Sequence, residues 1–253
     1  MKITFLGTGT SQGIPVIACP CKVCQSPDPR DSRLRASILI EIDDITIVID
    51  SGPDFRQQML RADVKNLDAI FLTHEHKDHV AGMDDIRAFN FIRQKPMDIY
   101  AEKRVLKAIK REFAYVFAAF KYPGIPQMHL HAIDENPFTL HGIEIVPIRV
   151  FHYRLPIFGF RIKDFTYITD ANNIGDDGMQ KLKGTKILVV NALRKQKHIS
   201  HFNLEEAEKL IDIISPEKAF ITHISHQFGL YSELTDELPA GIIMAYDTLS
   251  FQC

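Results

Sequence analysis

The chain has almost no net charge, few cysteines and no long apolar run, and each shortage removes a class of function. With 30 Lys and Arg against 32 Asp and Glu, the formal net charge is -2. That argues against a protein dominated by polyanion binding and leaves small anionic substrates open. No apolar stretch approaches the roughly 18 residues that span a bilayer, so no transmembrane helix is expected. Met1-Lys2 leads directly into Ile3-Thr4-Phe5-Leu6, too short for the core of a signal peptide, and a cytoplasmic location is expected. Of the 4 cysteines, Cys19, Cys21 and Cys24 lie too close together to staple distant parts of a fold, which suits a reducing compartment. Cys253 is the last residue and reads as an incidental thiol.

What remains is the composition of an ordinary globular protein: 45% apolar, 25% charged, 13 Gly and 13 Pro. A length of 253 residues allows two small domains or one large one, with ample core in either case. Apolar runs at 2–6, 36–42, 45–50, 67–72, 98–101, 142–150, 158–162, 165–169, 186–191, 218–222 and 242–247 read as strands, with Asp43-Asp44 turning a hairpin. Helices are expected over 80–89, 102–117 and 204–214, the last opened by the capping pair Asn203 and Glu206. Asp54 reads as a cap for a helix from Phe55, and the cationic residues of 102–117 read as a solvated face. The glycine-rich loop 7–13 reads as a tight turn. Residues 122–137 are poor in pattern, and His129-Leu130-His131 within them reads as a decoy.

The most informative stretch follows the strand ending at Leu72: Thr73-His74-Glu75-His76-Lys77-Asp78-His79. His74 and His76 share a face if the two-residue alternation persists, with Asp78 and His79 on the next turn. Two imidazoles, then a carboxylate beside a third imidazole, suit two borderline divalent ions better than one. Further ligand-type residues stand where other apolar strands stop: Asp50, His152, Asp170 and His223. Sites are commonly built at such positions, because the core holds the strand ends rigid. Asp50 is expected to accept a hydrogen bond from a ligand histidine.

The motif His74-x-His76-x-Asp78-His79, together with His152, Asp170 and His223, resembles the metallo-β-lactamase superfamily over nearly the whole chain. The resemblance implies an α+β fold, a four-layer αββα sandwich of two mixed sheets with helices outside, as one domain over 1–253. It implies that His74, His76 and His152 hold one metal and Asp78, His79 and His223 the other, with Asp170 bridging. Zinc or manganese in such a pair activates a shared water to a bridging hydroxide near neutral pH.

Cys19-x-Cys21-x-x-Cys24 is one ligand short of a tetrahedral zinc site, and His226 is the expected fourth. This arrangement, with Asn191-Ala192-Leu193-Arg194, His198 and His201, is similar to the phosphoribosyl 1,2-cyclic phosphate phosphodiesterases of the carbon–phosphorus lyase pathway. It implies a structural zinc and a His201 that faces the substrate phosphate and assists the leaving oxygen, with His198 a bystander. Asp78 and His201 are the residues expected to act directly in catalysis. The expected activity is hydrolysis of a small cyclic or simple phosphodiester, with no membrane or nucleic-acid partner; a homodimer is left open. Alternatives are a transfer-RNA 3′-processing nuclease, for which nothing between the strands clearly supplies a long basic arm, and a carrier resembling the pyrroloquinoline quinone synthesis protein.

Overall fold

Successive residues of the central strands enter different cores, which is why the strands are apolar on both faces. Ile38, Ile40, Ile47, Ile49 and Phe71 lie in a core between two sheets, whereas the intervening Leu39, Val48 and Ile70 lie in a second core beneath helices. Leu188 and Val190 enter a third core under the other sheet's helices, with Val189 between them facing inward. A two-residue period with both faces buried gives four layers: helices, sheet, sheet, helices. The computed structural model describes residues 1–120, 122–235 and 237–253.

The first half of the chain carries β1 (Lys2–Gly7), β2 (Ser37–Ile42), β3 (Ile45–Ile49), α1 (Phe55–Arg61), β4 (Ala69–Phe71), α2 (Lys77–Val80), α3 (Arg87–Arg93), β5 (Met97–Glu102), α4 (Lys103–Glu112) and β6 (Met128–Ile133). Its strands, with the terminal β15 (Ser250–Gln252), make a sheet ordered β15-β1-β2-β3-β4-β5-β6. The second sheet is built from β7 (Phe138–Leu140), β8 (Ile143–His152), β9 (Leu155–Ile162), β10 (Phe165–Tyr167), β11 (Asn173–Ile174), β12 (Ile187–Asn191), β13 (Lys218–Thr222) and β14 (Ile242–Met244). Its order is β11-β8-β9-β10-β12-β13-β14, with β7 against β8. Helices α5 (Asp176–Leu182), α6 (Leu204–Ile214) and α7 (Tyr231–Leu234) accompany it. Both sheets are mixed: β3 to β6 run parallel, as do β10, β12, β13 and β14, and the remaining pairs are antiparallel. No helix among the described residues is long and apolar enough to cross a membrane.

The sheets and α6, with its reciprocal Asn203–Glu206 capping box, agree with the sequence reading; four local expectations do not. The expected helix over 80–89 is broken into α2, a 3-10 turn at Met83–Ile86, and α3. The Gly82 N–H donates to the Ser51 carbonyl at 2.9 Å and so leaves the helical ladder, and Gly82 lies so close to Gly52 that a Cβ would overlap the Gly52 carbonyl oxygen. The expected helix over 102–117 ends at Glu112 and gives way to a 3-10 turn at Ala114–Val116. Residues 128–133 form edge strand β6 rather than a pattern-poor loop. Asp54 precedes α1, yet its side chain caps nothing; the carboxylate instead accepts from the Arg35 backbone N–H at 2.8 Å and from the guanidinium at 3.1 Å.

Candidate metal centre

The ligand-type residues singled out by sequence meet at one end of the two sheets. Asp50 follows β3, His74 to His79 follow β4, His152 ends β8, Asp170 follows β10 and His223 follows β13. Three of them adopt left-handed backbone, with φ of 66° at Asp50, 60° at Asp170 and 55° at His223. Such conformations in residues other than glycine cost of order 1 kcal/mol each and persist where the surroundings over-determine them, as they do around functional sites. Here each turns the chain sharply off a buried strand and aims a side chain at the common point.

Asp170 is the centre of the cluster. Its Oδ2 lies 3.2 Å from His79 Nε2, 3.8 Å from His74 Nε2 and 3.9 Å from His201 Nε2, while Oδ1 lies 2.8 Å from His223 Nδ1. On one side the rings of His74, His76 and His152 stand 4.6 to 5.8 Å apart between centroids. On the other, Asp78 Oδ2 is 3.2 Å from His79 Nε2, and the His223 ring is stacked 6.2 Å from that of His79. His201 sits 4.6 Å from His152 and 5.0 Å from His223. All seven residues expected as ligands, and His201, are thus brought together.

The tautomers suit metal binding. His79 Nδ1 donates to Asp50 Oδ2 at 2.7 Å, leaving Nε2 for the site. The Thr73 hydroxyl donates to Asp50 at 2.9 Å and accepts from His74 Nδ1 at 2.9 Å, which leaves His74 Nε2 without a proton. That nitrogen is fully buried and has no hydrogen-bond partner. An orphaned buried acceptor costs about 1–3 kcal/mol, and a divalent ion is what would satisfy it. His152 Nδ1 is held by the Ser200 carbonyl at 2.9 Å, so its Nε2 is free as well. The nitrogen and oxygen donors fit zinc, manganese or iron, and the fold implies divalent ions at this position.

Charge in the cluster is strongly coupled. Burial disfavours the ionised form of Asp170, but His223 and His79 outweigh it and hold the carboxyl well below the usual range. Burial likewise opposes ionisation of Asp78, and His79 overrides it. Burial also opposes protonation of His79, yet Asp170, Asp50 and Asp78 drive its pKa well above that of an ordinary imidazole. The site is therefore an anionic basin that a cation completes. His201 contrasts with it: burial lowers its pKa to about 4 despite the nearby Asp170.

Several supporting residues carry no mark in the sequence. Thr73 links Asp50 to His74, and a hydroxyl between an apolar strand and a histidine gives no signal of that role. Arg104, expected on a solvated face, pairs with Glu75 inside the metal motif and donates to the Pro156 carbonyl at 2.6 Å, tying α4 to both sheets. His198, expected as a bystander, places Nδ1 3.1 Å from His201 Nδ1.

The cysteine loop converges as expected. His226 Nδ1 lies 3.3, 3.4 and 3.6 Å from the Sγ atoms of Cys19, Cys21 and Cys24. Tetrahedral zinc with bonds of about 2.3 Å to sulfur and ~2.05 Å to nitrogen sets these atoms about 3.5 Å apart, so the four side chains fit that ion. The Cys24 backbone N–H at 3.4 Å is the main influence that brings the Cys21 thiol down to about 6, while burial pushes Cys24 up to about 11. The lowered pKa favours the thiolate form of Cys21 before any ion arrives.

Comparison with known proteins agrees with this geometry. The sequence pattern of the beta-lactamase superfamily domain matches residues 46–224. A crystal structure described as a new diphosphatase from the PhnP family superposes with a TM-score of 0.93 at 36% identity, over 100% of this chain and 97% of that one. Zn(2+)-bound PqqB from Methylobacterium extorquens gives a TM-score of 0.80 at 18% identity, over 100% of each chain, a likeness of fold alone. An octanoyltransferase of Porphyromonas gingivalis is 40% identical over 252 residues, 98% of this chain but 51% of that protein. This chain spans about half the length of that relative, so the named activity belongs to the longer protein. With the family pattern spanning β3 to the turn after β13 and a solved relative matching end to end, the chain belongs to the beta-lactamase superfamily and has the metallo-β-lactamase fold of the PhnP-family structure.

Proposed function

We propose that the protein hydrolyses a small cyclic or simple phosphodiester with two divalent ions, zinc or manganese. His74, His76 and His152 would hold one ion, Asp78, His79 and His223 the other, with Asp170 shared. A third ion, zinc, would be structural, on Cys19, Cys21, Cys24 and His226. The observation that carries the reading is the single Asp170 oxygen facing three imidazole nitrogens, two from the segment after β4 (His74 and His79) and one from the loop before α6 (His201). Bound ions would supply Lewis acidity at a phosphoryl oxygen and a water whose pKa is lowered from about 15.7 toward ~7.

The chain supplies orientation and a proton. Asp50 and Thr73 fix the rings of His79 and His74, and the Ser200 carbonyl fixes His152. His201 Nδ1 is backed by Ser200 Oγ at 3.0 Å, so Nε2 faces the cluster. With its basicity lowered by burial, the resting ring is neutral at pH 7 and offers Nε2–H to a phosphoryl oxygen. A phosphodiester anion beside it would favour the protonated ring, which can then donate to the departing alkoxide.

Zinc- or manganese-loaded protein assayed on bis-(p-nitrophenyl) phosphate and ribose cyclic phosphates tests this; no metal-dependent turnover on any diester would overturn it. His201→Ala is expected to slow an alkoxide leaving group by roughly 10²–10⁴-fold with metal content unchanged. A second reading, cleavage of a disubstituted diphosphate, is favoured by the neighbour described as a diphosphatase. A phosphate leaving group departs without protonation, so faster turnover of such a substrate with little effect of His201→Ala would select that reading.

A further inference from the structure

The His-x-His of β6, which plays no part in the centre above, faces a carboxylate across the sheet. β5 and β6 pair in parallel with Asp98 opposite His129 and Tyr100 opposite His131, and in that register all four side chains stand on one face. Asp98 Oδ1 lies 3.1 Å from His129 Nδ1 and 2.7 Å from His131 Nε2. One ligand atom from each residue lies within 4.8 Å of both others.

An ordinary ion pair would not need this arrangement. One carboxylate oxygen serves two histidines whose ring centroids are 4.2 Å apart, close enough that protonating both sets like charges side by side. Neutral, the two rings present nitrogens to a shared point beside a carboxylate. The placement is also fixed in advance: His131 stacks on Tyr100 at 4.4 Å and 10°, Tyr100 stacks on Phe138 at 5.3 Å, and Phe71 meets Tyr100 edge-on at 5.4 Å. A tetrahedral ion with bonds of about 2.0–2.1 Å sets its donors about 3.3 Å apart, and the Asp98 oxygen stands within roughly 0.6 Å of that spacing from each imidazole nitrogen. Asp98 and His131 are half-buried, whereas His129 is mostly exposed on the edge strand, leaving room for solvent to complete the shell.

We propose that Asp98, His129 and His131 form a further, exchangeable site for a late first-row divalent cation such as Zn2+, Ni2+ or Cu2+, clipping edge strand β6 to β5. Two imidazoles and one carboxylate match the preference of these ions for nitrogen with some oxygen, and three protein ligands leave at least one position for water.

Zinc-saturated protein, desalted and dialysed against a graded series of free Zn2+ concentrations, would be analysed for bound zinc by mass spectrometry. The unmodified chain is expected to hold one equivalent more than the double variant His129→Ala, His131→Ala, with Asp98→Asn at least about tenfold weaker at that site. Hydrolytic activity should be equal in all three, because none of these residues belongs to the proposed catalytic cluster. As a readout without substitution, Ni2+ added to the zinc-saturated chain should broaden the ring NMR signals of His129 and His131 before those of His141. Equal zinc content in chain and variants throughout, or broadening without preference among these histidines, would overturn the assignment.

Discussion

Replacing Asp50 by Asn exchanges one oxygen for an NH2 group at almost constant volume, and Asn tolerates the left-handed backbone at this position. Asp50 is fully buried; its Oδ1 accepts from the Thr73 N–H at 2.9 Å, while Oδ2 accepts from the Thr73 hydroxyl at 2.9 Å and from His79 Nδ1 at 2.7 Å. Asn offers a single acceptor, and each orientation loses something. If its oxygen stays with the Thr73 N–H, its NH2 faces His79 Nδ1; the imidazole must then move its proton to Nε2, the nitrogen proposed to bind metal. If the amide turns over, His79 keeps its tautomer and the buried Thr73 N–H faces a donor, at about 1–3 kcal/mol. Either way the deficit equals a loss of roughly 10–100-fold in metal affinity, the usual consequence of removing a partner of a ligand histidine. Competition against a fluorescent chelator measures it, and circular dichroism checks that the fold is kept. A folded Asp50→Asn protein whose affinity stays within twofold of the parent would refute the role given to Asp50.

Substitutions and titrations elsewhere in the chain have equally definite outcomes. Gly52→Ala places a Cβ against the Asp78 carbonyl oxygen and should displace α2; an unfolding free energy lower by about 1–3 kcal/mol, with reduced zinc uptake, is expected from urea titration and metal analysis. In chelator-stripped protein, Cys21 should be alkylated by iodoacetamide with a rate rising through pH of about 6, because the thiolate reacts and its pKa is lowered; a midpoint between 8 and 9, the ordinary range for a thiol (~8.5), would contradict the hydrogen-bond account. Phe160→Ala empties a fully buried position between the sheets and should cost about 3–5 kcal/mol by denaturant unfolding.

The sequence shows where side chains converge better than how the backbone brings them there. Alternating apolar residues locate the strands, and the polar residue at each strand's end locates Asp50, His74, His152, Asp170 and His223, because a core that fixes a strand also fixes the residue at its end. The left-handed turns at Asp50, Asp170 and His223 have no such marker, since neither aspartate nor histidine demands that conformation. Gly82 fits an amphipathic helix by periodicity, and only the bond from its N–H to the Ser51 carbonyl, thirty-one positions earlier, takes that donor out of the helical ladder. Thr73 and Arg104 act through a few side-chain contacts to distant segments, and such isolated contacts leave no periodicity to read. Edge strand β6 is illegible for a related reason: its exposed positions dilute the apolar pattern that marks a central strand.

The proposed ligands come from both sheets: His74 to His79 from the first, and His152, Asp170 and His223 from the second. During synthesis, then, the first three histidines leave the ribosome with no carboxylate bridge and no partners from β8, β10 or β13. The cluster closes only once His223 has emerged and the second sheet docks on the first. A half-made chain therefore offers a passing ion only an open HxHxDH segment. The complete centre is withheld until the two sheets have met, which makes its filling a late event and a sensitive report that the sandwich has closed.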